Sequence, residues 1–130
     1  MMSKKITHDL NGIIPYSKGV FQVKIPVIIF KEDKTVIAFC PLLDLSGYGQ
    51  SESKAKESFQ IVLEEYLRYV SNKNTFEEDL IKLGWTVTNS KKKAFSPPSI
   101  EKVLSKNKEA REIYNTKPFK QYNESLSISI

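Results

Sequence analysis

Cysteine and histidine are almost absent from this sequence. Its 130 residues include one Cys, Cys40, and one His, His8. A single cysteine excludes a fold held together by disulfides and indicates a reducing compartment. One Cys and one His cannot supply the four protein ligands of a structural zinc site. We therefore expect neither a metal nor a cofactor.

Long hydrophobic runs are absent as well. The apolar stretch Ile25–Phe30 has six residues and contains Pro26, and Val36–Leu43 has eight and contains Pro41, whereas a transmembrane helix needs about 20 apolar residues. Near the start of the sequence, Asp9 and Asn11 interrupt any stretch that would form the hydrophobic region of a signal peptide. The expectation is a soluble cytoplasmic protein without a membrane segment.

Positive charge is in excess, but only in one part of the sequence. The formal net charge is +5. Residues 1–90 hold 11 Lys or Arg and 11 Asp or Glu, whereas residues 91–130 hold 9 and 4. This shift predicts a neutral domain over residues 1–90 and a basic C-terminal arm over residues 91–130.

Strand signals come first in the neutral domain. Hydrophobic and polar residues alternate at the start of Phe21–Phe30, which predicts a half-buried strand. Pro26 marks an edge position or a bulge, because proline cannot donate to a strand ladder. Thr35–Cys40 is rich in β-branched and aromatic residues and predicts the return strand of a hairpin. Gly47–Gly49 predicts a short third strand.

Helix signals follow. Ser51 is a typical N-cap residue for a first helix, and Thr75 with Glu78 forms the signature of a capping box for a second. Gly84 is suited to end the second helix, and Trp85–Thr88 alternates as a further strand would. One apolar stripe runs down the first helix, through Ala55, Phe59, Val62, Leu63, Tyr66 and Val70.

The order of these elements predicts an α+β fold. A small antiparallel sheet, made of the hairpin and the third strand, is covered on one face by helices, and the arm extends from it. Within the arm, Ser99–Leu104 predicts a short helix, and Leu126, Ile128 and Ile130 alternate with serines as in a strand. Sheet edges offer unpaired backbone groups, so this strand should dock on its own sheet or on a second subunit's. A homo-oligomer, with a dimer favoured, is expected.

Residues 27–70 also resemble a known family. An apolar strand ending in Cys40-Pro41 is followed by a loop with leucine and glycine, a short glycine strand, the cap Ser51 and a helix with an early Ala55. In these motifs the segment resembles the HicB-like antitoxin family. It departs from that family at Lys34, where the hairpin turn usually has glycine, in a slightly longer loop, and in an arm that is not a recognisable DNA-binding domain of the kind many members carry.

The resemblance implies a partial ribonuclease-H-like sheet, no catalytic activity, and binding to a small HicA-type toxin that cleaves mRNA. The residues themselves agree with the lack of catalysis. Magnesium-dependent nuclease chemistry needs carboxylates from core strands, and Phe21–Phe30 and Thr35–Cys40 contain none. Cys40 ends an apolar strand, where a cysteine is typically a small buried hydrophobic residue. His8 is a poor partner base in its N-terminal segment, so we expect a protein that is not an enzyme.

Two sets of residues are candidates for binding. Asp44 and Tyr48 flank the glycine loop and are candidates for contact with a partner protein, although Asp44 could instead serve hydrogen bonds within the loop. The basic candidates in the arm, which would contact nucleic acid, are Lys91, Lys92, Lys93, Lys117 and Lys120.

The basic arm leaves three interpretations open. Lysines neutralise phosphates and aromatic rings stack on bases, so the arm could bind nucleic acid, DNA foremost. It could equally wrap an acidic protein surface or be a solvated linker. The sequence therefore predicts a non-catalytic antitoxin-like protein that covers a toxin's active site. The alternative is a solitary nucleic-acid-binding regulator that uses the arm.

Overall fold

A computed structural model describes residues 20–73, 75–89 and 93–129, which form an α+β fold. No helix among these residues is both long enough and apolar enough to cross a membrane. The described strands are β1 (Val20–Glu32), β2 (Thr35–Cys40), β3 (Leu45–Gly49), β4 (Thr86–Asn89), β5 (Lys93–Ser96) and β6 (Lys120–Ser129). The described helices are α1 (Glu52–Lys73), α2 (Phe76–Lys82), α3 (Ile100–Lys106) and α4 (Lys108–Thr116).

The main sheet is antiparallel, with the strand order β3-β2-β1-β6. The predicted hairpin and third strand are thus confirmed. The hairpin turns over two residues, and the first of them, Asp33, has a positive φ of 57°. Aspartate tolerates this left-handed conformation better than most residues, which is why the turn forms without glycine. Pro26 lies in the part of β1 that pairs with β6 but not with β2, so it has an open side as predicted.

β6 docks on the sheet of its own chain. It pairs with residues 20–29 of β1, which confirms the strand predicted at the end of the sequence. Leu126 is buried, as expected from the alternation with serine. The side chain of Ile128 and the whole of Ile130 lie outside the described residues. The dimer stays a prediction.

Helices cover both faces of the main sheet, so the prediction that they lie on one face is wrong. α1 packs on one face, and α3 and α4 pack on the other. The reason is that β1 and β2 are apolar on both sides and could not leave either side in water. The strand residues that α3 and α4 cover are Ile28, Phe30, Ile37 and Phe39.

The backbone of α1 lies directly against β3. A Cβ atom added to Gly47 would lie 2.6 Å from the Cα of Phe59, and one added to Gly49 would lie 2.6 Å from the backbone nitrogen of Ala55. Only glycine permits this approach. Ser51 begins α1 by accepting a hydrogen bond from a backbone N–H of the first turn (3.2 Å), which confirms the predicted cap. The motif residues of this segment therefore shape the fold.

The capping box predicted for α2 does not form. Thr75 precedes the helix but makes no side-chain cap hydrogen bond, because its ψ of 10° is far from the extended value that an N-cap residue adopts. Its backbone N–H donates instead to the carbonyl of Val70, near the end of α1 (3.0 Å). Gly84, with a φ of 97°, follows α2 and confirms the predicted helix end.

The segment predicted as an extended basic arm is packed into the fold. β5 pairs with β4 in a separate two-stranded sheet, and β6 pairs with β1, so strand pairing crosses residue 90 twice. The predicted short helix is confirmed as α3, capped by Ser99. Trp85, just before β4, donates its Nε1–H to the carbonyl of Leu42 (2.9 Å), which ties the small sheet to the loop after β2.

Candidate functional site

Asp44 and Tyr48, the residues predicted to contact a partner, line one groove between the main sheet and α4. We call this groove, of about 480 Å³, the acidic groove. Its apolar lining comes from Phe30, Ile37, Phe39 and Ile113. Its carboxylates are those of Glu32, Asp44, Glu109 and Glu112, all of them exposed. Exposed carboxylates therefore surround a buried apolar surface.

Strand geometry directs Tyr48 into the acidic groove. Successive side chains of a strand point to opposite faces, and Gly47 and Gly49 face α1, so Tyr48 between them faces α4. Its backbone N–H donates to the hydroxyl of Ser58 on α1 (3.1 Å). The ring itself is 58 % exposed. Asp44, with a φ of 57°, sits in the loop that leads into β3.

The acidic groove carries a surplus of negative charge. Lys117 is the one lysine among its described lining residues, and its Nζ lies 4.0 Å from Glu32. Within the described part of the chain, Asp44, Glu109 and Glu112 make no ion pair. A concave surface lined by one sign of charge focuses the electrostatic potential and favours partners of the opposite sign. The groove therefore suits a basic partner.

Of the five lysines predicted to bind nucleic acid, the structure describes the side chains of two, Lys117 and Lys120, and each lies beside a different carboxylate. Lys117 belongs to the acidic groove, and Lys120 pairs with Glu52 at the start of α1, at 2.8 Å. The hydrogen bond and charge of Lys120 lower the pKa of the Glu52 carboxyl. Lys91 and Lys92 lie outside the described residues, and Lys93 is described only as backbone of β5.

A second cleft, which sequence reasoning missed, also has Asp44 in its lining. We call this cleft, of about 430 Å³, the basic cleft. Its charged residues, apart from Asp44, are Lys82, Lys102, Lys106 and Lys108. Three of them are part of the basic segment after residue 90, but Lys82 belongs to α2 in the neutral part. No sequence pattern could place Lys82 beside the others, because only folding joins α2 to α3.

The single cysteine, Cys40, lines neither the acidic groove nor the basic cleft. Cys40 is fully buried at the end of β2, and burial raises the pKa of its thiol to about 12. Such a thiol is not ionised at neutral pH and is a poor nucleophile. His8, predicted to be a poor partner base for this thiol, lies outside the described residues. Among those that are described, no three His, Cys, Asp or Glu side chains come together to hold a metal ion.

Comparison of the chain with protein-family models, curated proteins and solved structures finds no match. The resemblance of residues 27–70 to HicB-like antitoxins therefore rests on the sequence motifs. The two charged surfaces are the structural observations that bear on function.

Proposed function

We propose that this protein is an antitoxin-like binding protein that neutralises a small HicA-type toxin, an mRNA-cleaving enzyme, by covering its active site. The acidic groove carries the proposal, because Asp44 and Tyr48, from the segment that resembles HicB-like antitoxins, both line it. In this proposal β1, β2, β3 and α1 form a partial ribonuclease-H-like unit. The protein acts in the cytoplasm, where its partner would meet mRNA.

Charge complementarity supports a partner that binds RNA. An enzyme that cleaves RNA must attract phosphates, so the surface around its active site is positive. The carboxylates of the acidic groove present the opposite sign at the place where RNA would otherwise lie. Because Asp44, Glu109 and Glu112 make no ion pair with any described residue, a partner's Lys or Arg side chains can approach them without breaking one.

The apolar side chains at the acidic groove can contribute to affinity for the partner. Tyr48 is a large, exposed ring beside a buried apolar surface, and tyrosines in such positions are frequent energetic anchors of interfaces. A stable complex needs about 800 Å² from each protein, so in this proposal the interface extends beyond the acidic groove onto the surface around it.

Co-purification from the native host tests the proposal. The full chain should bring down a small basic protein that cleaves RNA by itself and loses this activity when an equimolar amount of the chain is added back. A steric mechanism predicts that inhibition and complex formation have the same stoichiometry. If no basic partner with RNA-cleaving activity is recovered, the proposed function is wrong.

Matched variants then locate the interface. Tyr48→Ala should weaken the complex by about 10-fold or more, as expected for an interface anchor. Glu109→Gln with Glu112→Gln should slow association and make it less sensitive to salt. Glu57→Gln with Glu101→Gln removes the same charge from exposed positions outside the groove and serves as the control. Equal effects of the two double variants would place the interface elsewhere.

A further inference from the structure

The basic cleft is lined by four exposed lysines from three helices. Lys82 ends α2, Lys102 and Lys106 lie one turn apart on α3, and Lys108 begins α4. Within the described part of the chain none of the four makes an ion pair. Lys117 and Lys120, in contrast, are both held by carboxylates. Four lysines without a described ion pair therefore meet at this cleft, where Asp44 is the sole described acidic lining residue.

The corner between α3 and α4 sets the backbone positions of three of these lysines, Lys102, Lys106 and Lys108. Asn107 ends α3 by donating its backbone N–H to the carbonyl of Val103 (2.9 Å) and begins α4 by accepting from the N–H of Ala110 (3.0 Å). Arg111 reaches back from α4, and its Nη1 donates to the carbonyl of Leu104 (2.8 Å). A single residue thus joins two capped helices, so the backbone positions of these three lysines are set before any ligand arrives.

The remaining lining residues indicate how a ligand would be recognised. Apart from its charged residues, the described lining consists of Pro41, Leu83, Gly84, Pro98, Val103 and Asn107. None of these offers an aromatic ring on which a base could stack, and lysines alone contact phosphates without reading base sequence. The four lysine ammonium groups come from three helices, so a ligand with several consecutive phosphates can contact more than one of them.

We propose that the basic cleft binds the phosphodiester backbone of a nucleic acid without preference for base sequence. This function is separate from partner binding at the acidic groove, because the two surfaces share one residue, Asp44, and have opposite charge. The protein would then carry a nucleic-acid site on one side of Asp44 and a site for a basic protein on the other.

Fluorescence anisotropy with the full chain tests this proposal. The probes are labelled 20-nucleotide duplex DNA and single-stranded RNA, each in two unrelated sequences, titrated between 50 and 200 mM NaCl. Four phosphate contacts predict a log–log salt slope of about −3.6 for duplex DNA, hence affinity about 150-fold lower at the higher salt. Both sequences of a pair should bind equally. Absence of binding at 50 mM NaCl, or a preference above 10-fold for one sequence, would overturn the proposal.

Three double variants locate the site. Lys102→Gln with Lys106→Gln should lower affinity at least about 10-fold at 50 mM NaCl and make the salt slope shallower by about 2. The matched control, Lys117→Gln with Lys120→Gln, removes the same charge and should change affinity less than about 3-fold. Lys91→Gln with Lys92→Gln should behave like the control. An effect of either of these two variants as large as that of the cleft variant would show that the basic cleft is not the site.

A competition experiment distinguishes a site for a nucleic-acid backbone from a site for a single phosphate group. Inorganic phosphate is titrated into the protein–DNA complex at constant ionic strength, balanced with NaCl. Because the proposed site gains from several contacts along one chain, phosphate should displace the DNA no better than chloride does. Displacement by millimolar phosphate would identify a site for one phosphate group and contradict the proposal.

Discussion

The two faces of the main sheet are formed by similar apolar strand residues, yet helices cover them very differently. On one face α1, 22 residues long, lies with its backbone against β3 and buries Ala55, Phe59 and Leu63. On the other face, within the described chain, α3 has no buried residue and α4 has one, Ala110. The acidic groove lies on this second face, between the main sheet and α4. The α1 face should therefore supply most of the stability, while the α4 face can present a surface to a partner.

The largest expected effect compares one phenylalanine from each face. Phe59→Ala on the α1 face should lower the free energy of unfolding by about 3–5 kcal/mol, because a rigid, fully buried site cannot collapse around the cavity. Phe39 lines the acidic groove, where neighbours and water can fill the space, so Phe39→Ala should cost only about 2–3 kcal/mol. Urea denaturation measures both values. Equal costs would mean that the α4 face is packed as tightly as the α1 face.

A second comparison tests the close approach of α1 to β3. A Cβ atom on Gly47 would lie 2.6 Å from the Cα of Phe59 and 2.9 Å from the carbonyl oxygen of Ala55, so Gly47→Ala must push the helix from the sheet. We expect a loss of about 3 kcal/mol, at the upper end for overpacking. Gly84→Ala is the control, since its Cβ meets nothing closer than 3.6 Å and only the positive φ is strained, at about 1–2 kcal/mol. Equal losses would contradict the close packing.

Local sequence signals predicted the α1 face well. Alternation predicted β1, the glycines predicted β3, and the cap Ser51 with its apolar stripe predicted α1, because each signal depends on residues only a few positions apart. The cover of the other face depends on α4, about 70 residues after β2. Alternation in its first half predicted β1 as half-buried, whereas the unbroken apolar run Val27–Phe30 is typical of a strand buried on both sides. It could not indicate which later segment buries the second side.

For the candidate site too, the sequence predicted residues that lie close together along the chain but not those that the fold brings in from elsewhere. Asp44 and Tyr48 lie close together in the sequence, and the structure brings them to one groove. Their carboxylate neighbours Glu109 and Glu112 come from α4 and escaped prediction. The predicted lysines stay a prediction: total charge identified a basic segment, but it could not show that Lys117 lies beside Glu32 and Lys120 beside Glu52. Such pairings are made by the fold and leave no local signal.

The tightly covered face also buries a carboxylate. Glu124, in β6, is 9 % exposed and lies against α1, beside Gln60 and Lys56. Burial raises the pKa of the Glu124 carboxyl, while a hydrogen bond from Gln60 and the positive charge of Lys56 act in the opposite direction without cancelling the effect of burial. The α1 face thus holds a group that is more easily protonated in the folded state than in the unfolded state.

The smallest expected effect is the pH dependence of Glu124→Gln. A carboxyl with a raised folded pKa contributes stability below its ordinary value of 4.5, and this contribution is lost as pH rises through the folded pKa. Glutamine cannot ionise, so the variant should match the parent protein near pH 4 and become increasingly more stable as pH rises towards 8. Urea denaturation across this range measures the difference. Glu57→Gln, on the exposed side of α1, removes one negative charge without burial and should give no such rise. A gain for Glu124→Gln that stays constant with pH, or a parent protein more stable at pH 8, would show that α1 leaves this carboxylate in contact with water.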